Sequence, residues 1–172
     1  MRYFNGFSLS GEELFFRDCL PESEFCVAGF SYGAQKAVEY VHATQRRVDR
    51  LILLSPAFFQ TERPGFVRTQ LRYFEAGKEA YVRQFLENVS YPSRTELAPF
   101  LQTGSKEELE ALLTYTWDVE KMKEVIKRGT AIEVFLGGED KIIDSAAAAA
   151  FFEKYVTTYL IKDAGHLLLS AN

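Results

Sequence analysis

The fold is decided by the stretch Phe25-Cys26-Val27-Ala28-Gly29-Phe30-Ser31-Tyr32-Gly33. An apolar run leads into a serine flanked by glycines, and a helix-like segment leads out, which predicts a strand, a sharp turn and a helix. A serine in such a turn has a strained backbone, and a Cβ at either glycine would crowd the neighbouring strand and helix. The strain lifts the hydroxyl clear of the sheet, so Ser31 is a candidate nucleophile. An ordinary strand-to-helix connection would explain the same five residues.

Outward from this turn, short apolar runs alternate with segments of helical periodicity. Strands buried in a mostly parallel sheet, with helices on both faces, give this pattern, so the predicted fold class is α/β. The predicted strands cover residues 2–4, 24–28, 50–54, 131–136 and 156–161. The predicted helices begin at a capped Ser10-Gly11-Glu12-Glu13, at residue 34 behind the serine, and at Asp144 before a run of alanines.

The segment 57–128 breaks this alternation, because it offers amphipathic helical stretches and no convincing strand. We interpret it as a helical cap inserted into a single-domain core formed by residues 1–56 and 129–172. Most apolar helical stripes are buried, so most of its aromatic residues should be core and a few should line a substrate pocket. These residues are Phe58, Phe59, Phe66, Tyr73, Phe74, Tyr81, Phe85, Phe100, Tyr115 and Trp117.

A catalytic serine needs a base within hydrogen-bond reach and an acid that orients the base. The chain has two histidines. His42 lies on the helix that leaves Ser31, about 16 Å along its axis, and cannot reach the hydroxyl. His166 is therefore the candidate base. It follows the last predicted strand and so lies at the carboxyl end of the sheet, where open α/β sheets place their ligand sites.

The candidate acid is Asp140, in the turn Gly137-Gly138-Glu139-Asp140 after the fourth predicted strand. Glu139 remains an alternative. Asp144 is better placed to cap the alanine-rich helix, and Asp163 is too close to His166 in sequence to orient it easily. The order serine, acid, histidine matches one of three unrelated triad scaffolds.

Attack of a serine on a carbonyl carbon creates an oxyanion. A hydrolase stabilises this oxyanion with hydrogen-bond donors, usually two backbone N–H groups. The residue after the nucleophile, Tyr32, supplies one, at the positive end of the helix dipole. The turn after the first strand supplies the other, and Phe7 is the candidate there. An ordinary strand-to-helix turn is the alternative reading of that segment.

Composition limits the remaining functions. The 172 residues, 47% of them hydrophobic, suit one globular domain with a sizeable core. The net charge of -4 with scattered basic residues argues against nucleic acid, and the apolar runs are too short to span a membrane. We expect a cytoplasmic location, because the N-terminus lacks the features of a secretory signal. Cys19 and Cys26 should be free thiols, and neither a metal nor a cofactor is expected.

These motifs together resemble the α/β-hydrolase family. The resemblance covers most of the chain, through Asn5-Gly6-Phe7, Gly29-Phe30-Ser31-Tyr32-Gly33, Ser55-Pro56, Gly137-Gly138-Glu139-Asp140 and Gly165-His166. It implies a serine hydrolase with its acid at Asp140 and its base at His166. Relative to the family the chain begins at the third strand, so we expect an N-terminally truncated sheet whose exposed edge another subunit could cover. The oligomeric state is left open.

Within that family, the small size and helical cap are similar to the pimeloyl-[acyl carrier protein] methyl ester esterases of biotin biosynthesis. This resemblance implies a carboxylesterase acting on an acyl ester carried by acyl carrier protein. Arg68 and Arg72 share a helix face and could meet the acidic carrier, although the acidic residues among the cap's bases suit a solvated mixed-charge surface equally well. A thioesterase or acyltransferase would use the same three residues, and a non-catalytic binding protein could keep the fold.

Overall fold

The computed structural model of the protein describes residues 1–171. Its centre is a sheet of five strands: β1 (Arg2–Phe4), β2 (Cys26–Phe30), β3 (Arg50–Leu54), β4 (Ala131–Gly137) and β5 (Thr157–Ile161). The strands lie in the order in which the chain visits them, and all four neighbouring pairs are parallel. The predicted α/β class is therefore confirmed, and the carboxyl ends of all five strands lie on one edge of the sheet.

Six α-helices accompany the sheet within residues 1–171. They are α1 (Tyr32–Ala43), α2 (Phe66–Ala76), α3 (Lys78–Ser90), α4 (Lys106–Thr114), α5 (Val119–Lys127) and α6 (Ser145–Phe152). Two short 3-10 turns cover Glu12–Phe16 and Ala98–Phe100. None of these helices, among the residues described, has the length and apolar character needed to cross a membrane.

Burial explains why these segments become strands. The central residues of β2, β3 and β4 are almost all buried, as expected for strands with helices on both faces. One apolar cluster packs α1, α5 and α6 and the cap helices against one face of the sheet. A second cluster covers the other face with the 3-10 turn at Phe16 and with Val89, Leu97 and Leu167.

Two details of the sequence prediction need correction. The Ser10 cap is wrong: the segment forms a 3-10 turn whose N-cap is Gly11, in the left-handed conformation, with no side-chain cap bond. Its first acidic residue, Glu12, points inward and is fully buried. The second strand runs from Cys26 to Phe30, so both of its ends lie two residues later than predicted.

The segment 57–128 holds helices α2 to α5, as its periodicity predicted. The boundaries between this segment and the core, at residues 57 and 128, stay a prediction. Helix α5, the last of the segment, lies against α1, where Lys121 and Glu124 pair with Glu39 and His42. Asp144 caps α6 through the Ala147 amide at 2.9 Å, as predicted.

Candidate active site

Ser31 occupies the turn between β2 and α1 with φ 53° and ψ −113°, a conformation that non-glycine residues rarely adopt. Two close approaches impose this turn. A Cβ at Gly29 would collide with the backbone of Gly33, and a Cβ at Gly33 would collide with the carbonyl of Phe4 at the end of β1. The glycines on both sides of the serine are therefore required by backbone contacts, for the reason anticipated from the sequence.

His166 lies in the loop that follows β5 and is fully buried. Its ring stands 4.9 Å, centroid to centroid, from the ring of Phe30, the residue immediately before the nucleophile candidate. The loop is held against the end of β4, because Ala164 accepts from the Glu139 amide at 2.9 Å and a Cβ at Gly137 would strike the backbone of Gly165. These contacts bring the two loops after β4 and β5 together.

Asp140 meets His166 where these loops touch. Its Oδ2 lies 2.6 Å from His166 Nδ1, and both side chains are fully buried. The other oxygen, Oδ1, accepts from the amides of Ile142 at 2.7 Å and Ile143 at 3.1 Å. A carboxylate accepts hydrogen bonds and does not donate them, so Nδ1 carries the proton of this bond, and in a neutral ring Nε2 would present a lone pair.

The end of β3 links the serine turn to the histidine loop. The Ser31 amide donates to the Leu54 carbonyl at 2.9 Å. The next residue, Ser55, is buried with φ 40° and donates from its hydroxyl to the His166 carbonyl at 2.6 Å. Leu54 and Ser55, which are consecutive in sequence, thus anchor the candidate nucleophile and the candidate base. This role of Ser55 was not predicted, because a hydroxyl that bonds a distant carbonyl leaves no local pattern in the sequence.

Within residues 1–171, His166 Nε2 is buried and has no hydrogen-bond partner. Buried polar atoms are nearly always paired, so an unpaired nitrogen on an imidazole that packs against Phe30, the neighbour of Ser31, suggests a group held ready for a reaction. Ser31 itself is 3% exposed. The structure therefore has a closed site, in which the Asp140–His166 pair is formed and the serine hydroxyl is not bonded to the imidazole.

The two oxyanion candidates lie on either side of the turn. Tyr32 is the first residue of α1. Phe7 is buried and follows Gly6, where an added Cβ would approach the Phe30 ring at 2.7 Å. Neither the Phe7 nor the Tyr32 amide donates in any hydrogen bond described for residues 1–171. Both segments thus lie against the serine turn with an available donor.

The remaining acidic and histidine candidates lie elsewhere. Glu139 and Asp163 are exposed, and Asp144 caps α6. His42 faces Glu124 at 2.7 Å on the far part of α1. Arg68 and Arg72 are exposed on α2, and neither forms an ion pair within residues 1–171. Over the same residues, no group of three or more metal-ligating side chains is close enough to hold an ion.

A cavity of about 420 Å³ lies between the cap helices and the core. Helix α3 contributes Tyr81, Gln84, Phe85 and Asn88 to its wall, and Ile142, whose amide bonds Asp140, contributes from the core side. Five of the aromatic residues singled out from the sequence line it: Phe59, Phe66, Tyr73, Tyr81 and Phe85. Burial raises the pKa of the Tyr81 hydroxyl to about 12. Phe58, Phe74 and Trp117 belong to the core instead.

A larger cavity, of about 850 Å³, lies on the opposite side of α3. Its wall includes Val82, Leu86 and Glu87 from that helix, and Leu97 and Leu101 from the following segment. Ser31, Asp140 and His166 line neither cavity. The smaller cavity is the better candidate for substrate, because it alone of the two includes a residue bonded to the Asp140 carboxylate.

Solved structures similar to this chain share its fold. Naproxen esterase from Bacillus subtilis superposes with a TM-score of 0.57 at 20% identity, over 83% of this chain and 53% of its own. BioG from Haemophilus influenzae gives 0.62 at 12% identity, over 96% and 87%. Est816, described as an N-acyl homoserine lactone degrading enzyme, gives 0.68 at 13%, over 96% and 85%.

These similarities show the α/β-hydrolase fold and confirm the fold resemblance seen in the motifs. The chain spans about half the length of naproxen esterase and most of BioG and Est816. No protein-family model and no curated protein sequence matches the chain.

Proposed function

We propose that the protein is a serine hydrolase that cleaves carboxyl esters. The observation that carries this proposal is the buried Asp140–His166 pair, 2.6 Å apart, with His166 Nε2 unpaired on a ring that packs against Phe30, the residue before Ser31. A neutral imidazole oriented by a carboxylate is the arrangement that removes a proton from a serine hydroxyl. The carboxylesterases among the structures of similar fold agree with this choice.

The proposed reaction assigns one role to each residue. Ser31 Oγ attacks the ester carbonyl while His166 Nε2 takes its proton, and Asp140 stabilises the imidazolium. The amides of Phe7 and Tyr32 donate to the oxyanion. The imidazolium then gives the proton to the leaving alcohol, and water repeats the cycle on the acyl-enzyme to release the acid. Each step needs only protein groups and water.

We further propose that movement of the cap admits the substrate to Ser31. The serine and the imidazole are at most 3% exposed, and the cavity between cap and core stops short of both. Displacement of the cap helices would join this cavity to the serine. Its aromatic and aliphatic wall, with Gln70, Gln84, Asn88 and Lys141 as its polar members, suits an acyl chain of intermediate length with a polar end.

The substrate proposed for this site is the methyl ester of pimeloyl-[acyl carrier protein], in biotin biosynthesis. The resemblance of fold to BioG and the composition of the cavity support it. An acyl chain presented by acyl carrier protein would bring an acidic partner to the cap. The exposed guanidinium groups of Arg68 and Arg72 on α2 are free to meet it.

The test compares three substrates: a short p-nitrophenyl ester, the carrier-bound dicarboxylate methyl ester, and the matching thioester. The proposal expects turnover of both oxygen esters and little of the thioester.

Reversing both charges, with Arg68→Glu and Arg72→Glu, should lower kcat/KM for the carrier-bound ester by about 10-fold and spare the short ester. A matched control reverses Arg17 and Arg46, which are exposed and form no ion pair within residues 1–171. Equal losses on both esters would contradict carrier docking, and preference for the thioester would make the protein a thioesterase.

A further inference from the structure

Glu12 is a buried acidic residue that the proposed mechanism does not use. Its side chain is fully buried in the 3-10 turn after β1. The carboxyl oxygen Oε1 accepts from the Gly6 amide at 2.7 Å and from the Tyr3 hydroxyl at 3.3 Å. The second oxygen, Oε2, is buried with no partner among residues 1–171. A buried carboxyl oxygen without a hydrogen-bond partner costs stability, so the presence of Oε2 calls for an explanation.

The position of Glu12 supplies that explanation. Gly6 immediately precedes Phe7, whose amide is the second proposed oxyanion donor. The turn lies against the nucleophile turn, since a Cβ at Gly33 would strike the carbonyls of Phe4 and Asn5. The bond from Gly6 to Glu12 therefore fixes the peptide that joins the first strand to the Phe7 amide.

We propose that Glu12 is a positioning residue for the oxyanion hole: its Oε1 anchors the Gly6 amide and thereby holds the Phe7 amide toward the carbonyl attacked by Ser31. This inference rests on the proposed esterase function. Oxyanion donors act through preorganisation, and a small displacement of a donor weakens its bond in the transition state more than in the bound substrate. Loss of the anchor should therefore lower kcat and leave KM nearly unchanged.

The electrostatic setting favours an uncharged acid in this role. Burial raises the pKa of the Glu12 carboxyl, and the bonds to Gly6 and Tyr3 only partly oppose this effect. The titratable neighbours that act on it are Tyr3 from β1 and Glu13 from its own turn. Glu12 forms no ion pair within residues 1–171.

The test measures kcat and KM on a short p-nitrophenyl ester for four variants of the full chain. Glu12→Ala removes the acceptor and should lower kcat by about 10²-fold, with KM within about twofold. Glu12→Asp cannot span the same gap and should also lower kcat, which keeps the test decisive if the alanine variant fails to fold. Glu12→Gln retains the carbonyl acceptor and should restore kcat to within about threefold of the unaltered protein. Glu13→Gln, the adjacent control, should have no effect.

Three results decide the proposal. A fall in kcat for Glu12→Ala or Glu12→Asp with recovery in Glu12→Gln supports it. Unchanged kcat in a folded Glu12→Asp protein overturns it, and so does a Glu12→Gln protein as impaired as the aspartate variant. Failure of the esterase function is a separate result, because the unaltered protein would then neither hydrolyse the ester nor be labelled at Ser31 by a fluorophosphonate.

Discussion

The carboxyl edge of the sheet and the α2–α3 junction of the cap are built by different kinds of contact. At the sheet edge, backbone meets backbone: a Cβ at Gly33 would strike the Phe4 carbonyl, and one at Gly137 would strike the Gly165 carbonyl. At the α2–α3 junction, a Cβ at Gly77 would only touch the Ala80 methyl at 3.8 Å. The sheet edge is therefore closely fitted, whereas the α2–α3 junction has room for an added methyl group.

The largest effect on activity is expected from changing Asp140, the carboxylate that orients the His166 imidazole. Asp140→Asn should lower kcat by about 10⁴-fold, because an amide can donate to Nδ1 and so favours the wrong tautomer of His166. Glu139→Gln is the matched control, since this adjacent carboxylate is exposed, and its kcat should stay within about twofold. Steady-state kinetics on a short p-nitrophenyl ester measures both. A larger loss in the Glu139 variant would move the acid to that residue.

Stability should show the same contrast between the two regions. Gly33→Ala places a methyl group into the Phe4 carbonyl and should lower the free energy of unfolding by about 3 kcal/mol, since the backbone on both sides must move. Gly77→Ala, in the cap, should change it by less than about 1 kcal/mol. Urea unfolding followed by circular dichroism measures both. Equal losses at the two positions would mean that the sheet edge is no more tightly fitted than the cap.

Substrate selectivity should change when the cavity beneath the cap is filled. Asn88→Trp places a large side chain on the cavity face of α3 and should lower the ratio of kcat/KM for a long to a short acyl ester by about 10-fold. Glu87→Trp places the same side chain next to it on the opposite face, which lines the other cavity. This control should leave the ratio unchanged. If Glu87→Trp alone alters the ratio, the larger cavity is the acyl site.

The smallest effect concerns the pH dependence of stability at the sheet edge. The pKa of Glu12 is raised in the folded state above its ordinary value of 4.5, so the folded protein holds this proton more tightly than the unfolded chain. The resulting contribution to stability is complete below pH 4.5 and is lost as the pH rises toward the folded pKa. Glu12→Gln lacks this loss, so its stability relative to the unaltered protein should rise between pH 5 and pH 8. Urea midpoints at both pH values measure it, and a constant difference would contradict the assignment.

The sequence predicted the sheet better than the cap, for a physical reason. Buried parallel strands require apolar runs, so all five strands were found, with β3 at its observed limits. The Ser31 turn and the Gly137-Gly138 turn carry glycines that close backbone contacts demand. These glycines lie within short turns, so they leave a recognisable local motif even where the contact is with a distant residue.

Longer-range arrangements left weaker traces. The cap helices were expected, but which aromatic residues face the cavity depends on packing among four helices. The inward turn of Glu12 was missed as well, because acidic residues at the start of a helical segment were interpreted as favourable to the helix dipole and not as buried. The bond from Ser55 to the His166 carbonyl joins residues distant in sequence, and no local pattern encodes it.

The central proposal is that His166, oriented by Asp140, activates the hydroxyl of Ser31. Fluorophosphonate labelling followed by mass spectrometry of the intact protein tests this claim most directly, with peptide mapping of the modified residue. We expect one label on the unaltered protein, located at Ser31, no label on Ser31→Ala, and strongly slowed labelling of a folded His166→Ala protein. An unaltered protein that takes up no label, or one labelled at another serine, would contradict the account.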